Sequence, residues 1–217
     1  MRTKTLLLTA VLSAAGAASS FAQGAVYSQN AVGYVNVSLD PGFNLICNPL
    51  KNTAGNQLSK ILTLTDADIG TTVYWYDTAT KGFKNSTFLG AAVGWTPDQP
   101  IDPGVGIFIN VSAAKTVTFV GDVPQGTDSN ISLSSGFSLI SSPVPQSADL
   151  AAMQFPADVG DTVYFYRGTA TAKSYVASTF LGAAGWLPAA VPLVGEGFWS
   201  SKAAAGTWTR NFSVNTP

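Results

Sequence analysis

The chain is written twice, and this limits its fold more than any other feature, because whatever one copy adopts the other must adopt as well. Gly42-Phe43-Asn44-Leu45-Ile46-Cys47-Asn48-Pro49 returns as Gly136-Phe137-Ser138-Leu139-Ile140-Ser141-Ser142-Pro143. Gly70-Thr71-Thr72-Val73-Tyr74-Trp75-Tyr76 returns as Gly160-Asp161-Thr162-Val163-Tyr164-Phe165-Tyr166. Ser86-Thr87-Phe88-Leu89-Gly90-Ala91-Ala92, with Gly94-Trp95 after it, returns as Ser178-Thr179-Phe180-Leu181-Gly182-Ala183-Ala184 with Gly185-Trp186 after it. Finally, Gly104-x-Gly106-x-Phe108 answers Gly195-x-Gly197-x-Trp199. Matched positions lie roughly 90 residues apart, beyond the about 20–50 of solenoid units, so each copy is a domain or half-domain. A turn-rich run, Gly121-Asp122-Val123-Pro124-Gln125-Gly126-Thr127-Asp128, marks the joint and predicts copies at 23–122 and 123–217. Duplication supplies either two equivalent binding sites or simply a larger scaffold.

Within each copy the hydrophobic period is two. Val105, Ile107, Ile109 and Val111 alternate with Gly106, Phe108 and Asn110, and Val117 and Phe119 alternate with Thr116 and Thr118, the pattern of half-buried strands. Further strands are predicted at 35–39, 43–48, 72–76 and 83–89, with second-copy equivalents at 131–133, 137–141, 162–166 and 175–181. Only 56–62 and 148–153, at matching places in the repeat, suit a helical turn or two. The expected fold is all-β: a tandem duplication of a small sandwich or barrel-like unit.

Composition narrows the function. The chain of 217 residues has no histidine and one cysteine, Cys47. Ser-His and Cys-His nucleophile pairs and imidazole metal sites are excluded, as are an internal disulfide and a multi-thiolate zinc site. Charged residues are 11% and the formal net charge is −1, so there is no basic footprint for nucleic acid or an anionic membrane. Residues 1–22 read as a signal peptide: Arg2 and Lys4, an apolar stretch from Leu6 to Ala18, then the small-x-small site Ser20-Phe21-Ala22. No membrane span is expected after cleavage, and the protein is expected to be exported, to the cell surface, the extracellular space or the periplasm.

The ordered set Gly-Phe-Asn-Leu-Ile-Cys-Asn-Pro, Val-Tyr-Trp-Tyr, Gly-Trp and Pro-Gly-Val-Gly-Ile-Phe resembles a β-repeat of bacterial and archaeal secreted and surface proteins. Its members often read Gly-Trp-Asn-Leu-Ile-x-x-Pro, Trp-x-Tyr, Gly-Trp and Gly-x-Gly-Tyr-Trp. The likeness covers nearly all of the mature chain, with Phe43 and Phe137 where tryptophan is common, a change that keeps an aromatic anchor. It implies an extracellular module with no catalytic residues to carry over.

Candidate chemistry is sparse. Glu196, the only glutamate, could pair with Asp149, Asp158 or Asp161 as a glycosidase dyad, but the first copy has Val105 in its place. Asp66-Ala67-Asp68 and the stretch from Asp98 to Asp102 are possible calcium ligands, although no loop carries the full ligand pattern and Asp-rich turns more often cap backbone. Cys47 lies in a hydrophobic strand and becomes Ser141 in the second copy, as an inert buried thiol would.

The aromatic residues are the more informative set, since sugar faces stack on exposed rings. Among the tryptophans Trp75, Trp95, Trp186, Trp199 and Trp208, the rings of Trp95 and Trp186, each after a glycine and before a proline-bearing loop, are the candidates for exposure, although core anchoring is the favoured reading because buried aromatics dominate core energetics. Tyr74 and Tyr76, recurring as Tyr164 and Tyr166, point opposite to Val73 and Trp75 and are predicted to line the outer or inter-copy face. The leading expectation is a non-enzymatic exported β-protein, structural or adhesive, whose partner is an envelope or matrix protein or a polysaccharide, with self-association through β-edges open to it. The alternative is a carbohydrate-binding module using Trp95, Trp186 and these tyrosines. A glycoside hydrolase comes last; neither cofactor nor metal is expected.

Overall fold

Each copy spells out the same seven strands. The computed structural model describes residues 31–214, and the predicted signal peptide lies outside them. In the first copy these are β1 (Val32–Leu39), β2 (Gly42–Cys47), β3 (Thr72–Asp77), β4 (Gly82–Phe88), β5 (Trp95–Thr96), β6 (Gly106–Val111) and β7 (Lys115–Asp122). They form a five-stranded sheet in the order β2-β6-β3-β4-β5 and a two-stranded ribbon, β1-β7. The second copy has β8 (Ile131–Leu133), β9 (Gly136–Ser141), β10 (Thr162–Thr169), β11 (Ala172–Phe180), β12 (Trp186–Leu187), β13 (Gly197–Lys202) and β14 (Gly206–Trp208). Its sheet runs β9-β13-β10-β11-β12 and its ribbon is β8-β14, so the duplicated sequence is a duplicated topology. The protein is all-β, and every strand pairing is antiparallel.

The period-two alternation decides which side chains turn inward. In the first copy Val73, Ile107, Ile109 and Phe88 from the sheet meet Val35, Leu39, Val117 and Phe119 from the ribbon. In the second, Val163, Phe165 and Phe198 from the sheet meet Leu133 and Trp208 from the ribbon. Fully burying one such side chain stabilises by about 1.5–3 kcal/mol, enough to hold a two-stranded ribbon that could not stand alone. The helical turn expected at both equivalent places forms in one. Helix α1 (Leu58–Ile61) seals the first core with Leu58 and Ile61. Residues 148–153 make hydrogen-bonded turns instead, with the Met153 N–H donating to the Asp149 carbonyl at 2.9 Å, and still deliver Leu150 and Met153 to the second core.

Residues 31–214 belong to one compact unit, because the two sheets are joined backbone to backbone. The Cys47 N–H donates to the Gly195 carbonyl at 2.9 Å, and its equivalent, the Ser141 N–H, donates to the Gly104 carbonyl at 2.9 Å. A pseudo-two-fold axis relates these bonds. At this seam a Cβ on Gly106 would lie 2.7 Å from the Ile140 carbonyl oxygen, and one on Gly197 would lie 2.8 Å from that of Ile46. The Gly-x-Gly repeat is thus the place where only glycine lets the copies touch. Among the described residues no helix is long and apolar enough to cross a membrane.

Candidate functional site: an aromatic trough between the copies

The sheet face not used for each core is turned toward the other copy. In β3 the residues alternate with Val73, so Tyr74 and Tyr76 stand on this face, and in β10 Tyr164 and Tyr166 do the same. Strand register then adds partners that sequence reading did not select. Tyr76 sits across from Phe83 and Tyr166 across from Tyr175, while Tyr74 faces Phe108 and Tyr164 faces Trp199. Leu45, Phe108 and Leu139 are buried at the centre, with the tyrosines and Trp199 packed around them.

Two clefts open on either side of this centre. The first, about 490 Å³, is lined by Phe43, Tyr74, Phe83 and Phe108 of the first copy and by Tyr166 and Tyr175 of the second. The second, about 470 Å³, is lined by Phe137, Tyr164, Tyr175 and Trp199 of the second copy and by Tyr76 of the first. Both fall within the about 300–1,000 Å³ typical of ligand sites. Their outer rings reach solvent: Phe43, Phe83, Phe137 and Tyr175 are 45%, 53%, 51% and 52% exposed. Ring contacts link the clefts without a break, from Tyr74 through Phe43, Phe108, Phe83, Trp199 and Phe137 to Tyr164, with centroids 5.7–6.3 Å apart at every step. That spacing is the edge-to-face and offset range aromatic pairs prefer.

No charged side chain lines either cleft. Positions sharing the face of these rings on β2, β3, β4, β6, β9, β10, β11 and β13 are aromatic, aliphatic, glycine, cysteine, hydroxyl or amide, except for Lys173 at the start of β11, across from Gly168; the polar ones include Thr72, Asn85, Thr87 and Asn110 in the first copy and Thr162, Thr179 and Ser201 in the second. Charges cluster instead in an adjoining groove of about 470 Å³ that shares Tyr166, and there they are consumed in pairs. Arg167 grips Glu196 with two hydrogen bonds, Nε at 2.6 Å and Nη2 at 2.5 Å, and lies 4.2 Å from the Phe165 ring centre. Lys173 reaches across to Asp40 at 3.1 Å and to the Asn44 side chain at 2.6 Å, tying the second copy's hairpin to the first copy.

No protein-family model, curated protein or solved structure matches the chain.

Trp95 and Trp186 are not exposed stacking rings but core anchors, the reading their residue type favoured. They are 5% and 6% exposed and belong to the two cores. The reason is pairing: β5 and β12 add to β4 and β11, placing Trp95 across from Phe88 and Trp186 across from Phe180, with ring centroids 5.7 and 5.5 Å apart. Phe43 and Phe137 move the other way, from expected anchors to half-exposed walls of the trough. Of the other tryptophans, Trp75 packs partly buried against the first core, Trp208 is buried with its indole N–H on the Met153 carbonyl at 2.8 Å, and Trp199 enters the trough.

The remaining candidates are occupied structurally. Besides its Arg167 clamp, Glu196 accepts the Leu193 N–H at 2.8 Å. Asp66 accepts the Ala91 N–H at 2.7 Å, Asp68 accepts the Thr65 N–H at 2.9 Å, Asp98 takes the Ser59 N–H and hydroxyl, and Asp102 takes the Asn56 amide. Among the described residues no three acidic or thiol groups converge as metal ligands would. Cys47 is buried at the seam, where burial pushes its thiol up to about 12; a thiol so raised is protonated and unreactive at neutral pH.

Proposed function

We propose that the protein is an exported, non-enzymatic adhesive module that binds neutral polysaccharide at the cell surface or in the extracellular matrix, through ring stacking in the trough between its copies. One observation carries this reading: two clefts of ligand size, walled by half-exposed aromatic rings and free of charged side chains. Sugars offer flat C–H faces to rings and hydroxyls to the Tyr, Thr, Asn and Ser groups around them, which suits a wall with an apolar body and polar handles. A nucleic acid or acidic polymer would call for cations here, and Arg167 and Lys173 are spent on Glu196 and Asp40.

The test is retention of the mature chain on a panel of immobilised glycans and cell-wall polysaccharides. Saturable retention is expected on neutral glycans, and it should be lost in a Phe43→Ala/Phe137→Ala protein whose thermal midpoint is unchanged. A folded protein that passes through the whole panel would sink the polysaccharide reading and leave an envelope or matrix protein, or a second copy of this chain, as the partner.

A further inference from the structure

We infer that the two clefts are halves of a single site, filled by one neutral β-1,4-linked glycan chain laid across the pseudo-two-fold axis. This rests on the polysaccharide reading above and adds the ligand's linkage class, its length and the stoichiometry.

Continuity is the first argument. Tyr175 lines both clefts, and the path of ring contacts runs from one to the other through Phe83 and Trp199, so the surface between them is aromatic throughout. Phe43, Phe83, Phe137 and Tyr175, spread along the two clefts, are half exposed, so the trough is open to solvent along its length. Chemistry is the second. In a β-1,4-linked pyranose chain the equatorial linkages keep successive rings in a ribbon with C–H faces available along its length, which matches a long row of aromatic rings. Chains that coil through axial linkages turn those faces away. Charge is the third: no cationic or anionic side chain lines either cleft, and the one cation on this face, Lys173, is paired with Asp40, so nothing is left to neutralise an acidic sugar, which would be desolvated at a cost.

Pseudo-symmetry does not count against a directional ligand. Stacking reads the face of a sugar ring and not the chain's polarity, so the two halves of the trough can hold successive sugars of one chain although they are related by rotation. Each half then supplies the other with effective concentration, since a chain held in one cleft presents its next sugars to the second.

The experiment is isothermal titration of the mature protein with cello-, manno- and xylo-oligosaccharides of two, four and six sugars. The expected result, with at least one series, is one chain per protein and affinity that rises about tenfold or more from the disaccharide to the hexasaccharide. Phe43→Ala and Phe137→Ala, one in each cleft, should each weaken the hexasaccharide about tenfold while the stoichiometry stays at one. Two chains per protein with affinity independent of length, or a single variant that halves the stoichiometry, overturns the single-site proposal. Retention on other glycans of the panel without binding of these oligomers overturns the linkage class and spares the polysaccharide reading. No retention on any glycan removes both.

Discussion

The two copies share a topology but not an interior. At the end of the central strands the first copy buries Thr71 beside Val111, and the second buries Asp161 beside Lys202 at the equivalent positions. Ile109 of the first core becomes Ser200, Ile107 becomes Phe198, and Trp75 becomes Phe165. A short helix in one copy is a run of turns in the other. What survives all these exchanges is the alternation of inward and outward residues and the glycines at the seam. The fold of each half is therefore specified by pattern and by close backbone approach, while the polar wiring is free to differ.

The largest test of that contrast is Lys202. Its ammonium bonds to the Asp161 carboxylate and donates to the Pro156 carbonyl at 2.7 Å, with both charged side chains almost wholly buried. Removing one partner of such a pair strands a charge, so Lys202→Met should cost about 3–5 kcal/mol in chemical denaturation. Asp161→Thr/Lys202→Val, which installs the first copy's solution in the second, should recover most of that loss, because well-packed replacements of buried pairs are often neutral or stabilising. If the double variant is as unstable as the single, the copies are not interchangeable at this point.

Next come the seam glycines. Gly106→Ala and Gly197→Ala each drive a Cβ against a carbonyl of the other copy, so each should cost about 1–3 kcal/mol as overpacking does, and by similar amounts. A large loss from one and none from the other would show that the seam is less symmetric than its hydrogen bonds.

Acid should separate the copies more gently. Burial pushes the Asp161 carboxyl up, but Lys202 and the N–H groups of Asp158 and Ala203 outweigh it and hold the carboxyl below its usual range. Asp68 is likewise lowered against its burial by Lys115 and by Thr65. For a carboxyl depressed in the folded state, the stabilisation is present above the unfolded value of about 3.9 and is lost as pH falls toward the depressed one. Midpoints measured from pH 6 downward should therefore hold until about pH 4 and then drop. In Asp161→Thr/Lys202→Val the drop should be shallower, and an unchanged curve would assign it to Asp68 and other carboxylates. The smallest effect is expected in the trough: Phe43→Ala and Phe137→Ala should each alter stability by less than about 0.5 kcal/mol, as exposed positions do. A larger loss would place those rings among the packing residues.

The doubling, the strand content and the sets of residues that share a strand face are legible without coordinates, because a repeat and a period of two are local facts. The same period places Tyr74, Tyr76, Tyr164 and Tyr166 opposite Val73 and Val163, which is a matter of alternation alone. What those tyrosines meet is a matter of tertiary packing. Phe83, Tyr175, Phe108 and Trp199 join them through strand register and sheet order, and Trp95 and Trp186 are pulled into the cores by strands of two residues that carry no periodic signal. Phe43 and Phe137 turn outward for the same kind of reason: their exposure depends on how far one sheet overlaps the other, a distance set at a seam of glycines whose partners lie in the other copy.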